Sequence, residues 1–127
     1  MSAPVIDTAI LVDHLRKRPE AGAYLLSVAP QGLFTHDTVV GELLMGIRDK
    51  KELQALDDLL RPFQILHLNE TDSATAIELL RQYKLSHGTG YLDCLIAATC
   101  LRMKMPVSTT NDKHFRPILN LQVIRPY

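Results

Sequence analysis

The chain has 127 residues, of which 46% are hydrophobic and 22% charged, and its 14 basic and 14 acidic side chains cancel to a formal net charge of zero. That is the size and composition of one globular domain, and it excludes global disorder. Zero net charge also excludes a bulk basic field, so a polyanionic partner must be held by a local patch or by metal ions. No apolar run approaches the ~18 residues of a membrane span. Residues 1–7 lack the charged start and apolar core of a signal peptide. Cys94 and Cys100 fall in one predicted helix, where they point to different sides and cannot bridge. The expectation is a cytoplasmic protein in a reducing compartment, with no membrane partner.

In chain order, Pro4 to Ile6 is a short β-branched run, long enough for a buried strand, and Asp7-Thr8 ends it. Ile10, Leu11 and Leu15 then recur at helical spacing. Pro19 permits a second helix start, and Ala21, Tyr24, Leu25 and Val28 form its apolar stripe. Leu33-Phe34-Thr35 reads as a second strand, followed by a helix that Asp37 or Thr38 can cap. Val39, Val40, Leu43, Leu44 and Ile47 are its apolar face, and Lys50 to Leu60 continues as helix until Pro62. Gln64 to Leu68 predicts a third strand. Asn69 and Thr71 are candidate caps for a long helix from about Glu70 to Ser86, and His87 to Gly90 reads as loop. Asp93 to Lys104 is apolar nearly all round, which predicts a central helix. Strands are expected again at Pro106 to Thr110 and Gln122 to Arg125. Alternating strands and helices predict a three-layer α/β/α fold with a mostly parallel sheet, spanning 1–127 as a single domain. In such sheets a ligand site lies beyond the carboxyl ends of the strands, and Asp7 stands there.

Asp7, Glu42, Asp93 and the pair Asn111-Asp112 are the candidate chemistry. Taken singly, each has an ordinary explanation: Asp7 and Asp93 as helix caps, Glu42 as a solvated residue off its apolar stripe, Asn111-Asp112 as turn formers. Taken together, a strand end, a helix and a helix start can bring three carboxylates into one cleft. Clustered carboxylates repel, so they share protons or gather a cation. Oxygen ligands without a His/Cys set select Mg²⁺ or Mn²⁺ over Zn²⁺.

The segments Val5 to Leu11, Thr38 to Leu43, Gly90 to Thr99 and Thr109 to Phe115 resemble, in order, the motif blocks of PIN domains, and more narrowly of VapC toxins from toxin–antitoxin pairs. The resemblance covers nearly the whole chain. It implies a PIN-like fold and a Mg²⁺- or Mn²⁺-dependent endoribonuclease leaving 5′-phosphate and 3′-hydroxyl ends. Its acids would be Asp7, Glu42 and Asp93, with Asp7 and Asp93 as direct metal ligands and Glu42 acting directly or through water. The fourth position is filled either by the Asn111 amide oxygen or by Asp112. Thr8 and Thr109 would position the acids, and Lys113 and Arg116 would contact phosphate.

Arg16 to Arg18 read as a solvated helix face, and His114 as a surface or packing residue. Without interleaved aromatics, RNA would be recognised by shape and backbone. The resemblance further implies a structured RNA such as tRNA as substrate, a homodimer, and a VapB-like antitoxin whose tail covers the acidic cleft. The alternatives are a housekeeping RNA-processing PIN nuclease and a catalytically silent PIN-like module that binds RNA or protein.

Overall fold

A computed structural model describes residues 2–127. The elements are β1 (Val5–Ile6), α1 (Thr8–Leu15), α2 (Pro19–Val28), β2 (Phe34–His36), α3 (Asp37–Met45), α4 (Lys50–Leu60), β3 (Gln64–Leu66), α5 (Glu70–His87), α6 (Tyr91–Met103), β4 (Val107–Ser108) and β5 (Val123–Ile124). No described helix is long and apolar enough to cross a membrane.

The five strands form one parallel sheet in the order β3-β2-β1-β4-β5. From β1 the chain winds outward through β2 to β3. It then crosses back over the sheet through α5 and α6 to β4. Right-handed crossovers running in opposite directions put helices on both faces and leave a switch point between β1 and β4. Register sets what stands at that edge. Ile6 pairs with Thr35 on one side and with Ser108 on the other. One residue further, the row is His36, Asp7 and Thr109.

Local chemistry explains the helix ends. Asn69 and Asp72 form a reciprocal capping box that starts α5. Gly88 ends it at φ +67°, a left-handed conformation that glycine adopts without steric cost. The Asp49 carboxylate accepts the Glu52 amide and starts α4. Several boundaries differ from the sequence reading: β2 runs on to His36, β3 stops at Leu66, β4 is only Val107–Ser108 and α5 includes His87. The cap of α3 is His36, whose ring accepts the Thr38 amide, in place of Asp37 or Thr38. Helix α6 begins at Tyr91 with Gly90 before it, so Asp93 lies inside the first turn and is not a cap.

The central position expected for α6 is observed: Cys94 through Cys100 are all buried, and its most extensive helix partner is α5. The strands themselves are short because their role is to be covered. Val5, Ile6 and Val107 are wholly buried, which is what β-branched residues on a doubly covered sheet do.

Candidate active site

Asp7 follows β1 and occupies the N-cap position of α1, yet its side chain caps nothing. Instead Oδ2 accepts a hydrogen bond from Thr109 Oγ1 at 2.7 Å, across the switch point. The Asp7 side chain is thus turned across the switch point and away from its own helix. The carboxylate is 5% exposed. Burial pushes its pKa up to about 6, the charges of Asp93 and Glu42 push the same way, and the Thr109 hydroxyl and Thr8 amide pull back.

Glu42 stands on α3, where Thr8 Oγ1 donates to its Oε1 at 3.2 Å. Asp93 stands in the first turn of α6, with His114 Nδ1 3.2 Å from Oδ2. Asp7, Thr8, Glu42, Asp93 and Asn111 line one cleft of about 300 Å³, with Arg16 at its edge. The Asn111 amide donates to Thr109 Oγ1 at 2.9 Å, so Thr109 ties the last loop to the first strand.

Asp112 is placed differently. Its oxygens take Arg116 at 2.6 Å and Arg125 at 3.1 Å, and it is not among the residues lining the cleft. Of the two candidates for the fourth position, the structure brings Asn111 to the site and leaves Asp112 in an ion pair beside it. Arg116 is consumed by that pair, and exposed Lys113 does not line the cleft either.

Asp13, which also lines the cleft, and Arg16, His114 and His36 are not assigned to the site by the sequence reading. Arg16 was read as solvated, but Thr8, Val12 and Arg16 recur at four-residue spacing and share a face of α1 and its cap. His114 reaches Asp93 because Thr89 Oγ1 holds its carbonyl at 3.1 Å, a contact no local pattern shows. His36 was one of several dispersed histidines, yet it is wholly buried.

Among the described residues, no three His, Cys, Asp or Glu side chains are already closed into a metal cage. The donor set nevertheless fits Mg²⁺ or Mn²⁺. It is made of oxygens, and Mg²⁺ is commonly held by one or two carboxylates with water filling the other positions. A buried Asp7 that resists ionisation gains most from a cation beside it.

The fold and the cleft define a parallel α/β domain with an acidic site at its switch point. A PIN domain model matches residues 5–118. Ribonuclease VapC19 of Mycobacterium tuberculosis is 36% identical over 121 residues, covering 93% of this chain and 96% of the relative. Ribonuclease VapC1 of Methanocaldococcus jannaschii is 30% identical over 117 residues, covering 87% of this chain and 77% of the relative. A toxin–antitoxin complex from Klebsiella pneumoniae contains a chain that superposes with a TM-score of 0.82 at 26% identity, with 98% of each chain covered. The chain belongs to the PIN domain family and is of the VapC type.

Proposed function

We propose that this chain is a divalent-metal-dependent endoribonuclease and the toxin of a VapBC-type toxin–antitoxin pair. The observation that carries the reading is the lining of one cleft at the switch point by Asp7, Glu42 and Asp93. Kinship with proteins named ribonuclease supports RNA as the substrate. Likeness to a chain of a toxin–antitoxin complex supports a VapB-like antitoxin.

Bound in this cleft, Mg²⁺ or Mn²⁺ would supply an activated water and offset charge on the scissile phosphate. Asp7 and Asp93 would hold the ion directly, and Asn111 would add an amide oxygen. Thr109 keeps one Asp7 oxygen occupied and so fixes the direction of the other. Glu42 is exposed, is steadied by Thr8, and would orient the attacking water. Arg16 would meet a phosphate at the rim.

A groove of about 560 Å³ adjoins the cleft and shares Thr8, Arg16 and Glu42 with it. Leu15, Ile47 and Leu56 give it apolar walls. An antitoxin segment seated there would reach the carboxylates, and a cationic side chain on it would compete with metal. Leu44 and Met45 on α3, with Leu85, Tyr91 and Leu92 around the α5–α6 junction, are exposed apolar surface for the homodimer, which light scattering would test.

The purified chain should cut RNA only with Mg²⁺ or Mn²⁺ present, and Asp7→Asn and Asp93→Asn should abolish cutting. Mapping new 5′ ends in cells after brief expression, with Asp93→Asn as control, would identify the RNA. Metal-dependent cleavage by Asp93→Asn at the wild-type rate would overturn the assignment.

A further inference from the structure

Glu42 on α3 and Asp93 on α6 both line the cleft, and a polar chain, buried except for its last member, runs between those helices. It begins at His36, level with Asp7 on the neighbouring strand and wholly buried. His36 Nδ1 accepts the Thr38 amide at 3.2 Å, which caps α3. Thr38 Oγ1 and Asp37 Oδ1 also lie 2.9 and 3.1 Å from Nδ1. The other ring nitrogen, Nε2, is hydrogen-bonded to Thr99 Oγ1 of α6 at 2.8 Å. Thr99 in turn donates to Asp72 Oδ2 at 2.9 Å. Arg102 closes the chain with bonds of 2.7 and 2.9 Å to Asp72.

The chain ties the start of α3 to α6 and α5 through side chains alone, and such networks hold geometry more tightly than their separate bonds. Apolar packing between α3 and α6 is non-directional and tolerates sliding. The His36–Thr99 bond is directional and does not. Ligands for a metal must be held within about 0.5 Å of productive geometry.

We infer that His36, acting through Thr99, is a positioning residue that sets the separation of Glu42 and Asp93, and hence the affinity of the cleft for a divalent ion. This rests on the proposed metal-dependent reading of the cleft. The test is Mn²⁺ binding by calorimetry and electron paramagnetic resonance, without RNA. Thr99→Val, which keeps shape and removes the hydroxyl, should bind Mn²⁺ roughly tenfold more weakly. Thr99→Ser should restore wild-type affinity. Val28→Ala truncates a core residue of α2 and serves as a control for lost stability; it should stay within about twofold of wild type at a matched melting point. Should Thr99→Val not fold, His36→Asn replaces it, since Asn can still cap α3 but cannot reach Thr99. The inference is overturned if the variant that breaks the link binds Mn²⁺ as wild type does, or if Val28→Ala loses as much. Wild-type protein that shows no Mn²⁺ binding dependent on Asp7 would instead overturn the underlying reading of the cleft.

Discussion

Thr109 and Asp7 are 102 residues apart in sequence, and their side chains meet at 2.7 Å. The bond links the ends of the two strands that flank the switch point, so the site exists only when β1 and β4 are paired. Thr109 also stabilises the ionised form of Asp7 against burial. Thr109→Val should therefore raise the Asp7 pKa further and shift the acid limb of the pH–rate profile upward. A profile that overlays wild type would show that the hydroxyl does not serve the carboxylate.

Asp7 also makes metal-free stability depend on pH. Its pKa rises from 3.8 to about 6 on folding. Between those values the folded chain holds a proton that the unfolded chain has released. The resulting stability is fully present below about 4 and is lost as pH rises through 6, an effect of about 2–3 kcal/mol. Asp7→Asn removes this slope and should be the more stable protein at pH 7.5, with the advantage shrinking toward pH 4. Urea unfolding of both proteins with chelator present measures it. A constant difference across that range would contradict the burial of Asp7.

Asp112 is an acid in the right segment with the wrong neighbours. Arg116 and Arg125 occupy its two oxygens, and it does not line the cleft. Asp112→Asn should keep cleavage within about threefold of wild type, since surface ion pairs contribute little. Asn111→Ala should cost more. Rates for the two variants, measured side by side, decide which residue completes the site.

Arg16 is among the residues that line the cleft, and its guanidinium is suited to hold a phosphate of bound RNA. Arg16→Ala should raise KM several-fold with little change in kcat, the pattern of lost uniform binding. The salt dependence of KM should weaken as well. A loss confined to kcat would place the guanidinium at the transition state instead.

Asp72 is 1% exposed and is paired to Arg102. Removing one partner of a buried pair strands a charge. Arg102→Met should destabilise the fold by about 2–3 kcal/mol, softened because Thr99 and the Asn69 amide still serve the carboxylate. Chemical denaturation measures it, and a change below about 0.5 kcal/mol would mean the pair is solvent-like.

The main outline was legible because it is periodic. Helical stripes located α1 through α6, and the unbroken apolar character of α6 marked it as central. Asp7 was legible as a residue just past a strand, where parallel sheets put their sites. What local patterns could not carry were contacts made by the fold. His114 beside Asp93 depends on a distant Thr89 bond, and His36 looks like any histidine until β2 buries it. That Asn111 lines the cleft and Asp112 does not depends on Arg116 and on Arg125, which arrives from beyond the loop.

The wide separation of Val5–Ile6 from their partners at Val107–Ser108 has a consequence for synthesis. Synthesis from the amino end makes β1 and α1 to α5 before residues 107–109, which complete the cleft. The cleft cannot close around Asp7 during that interval.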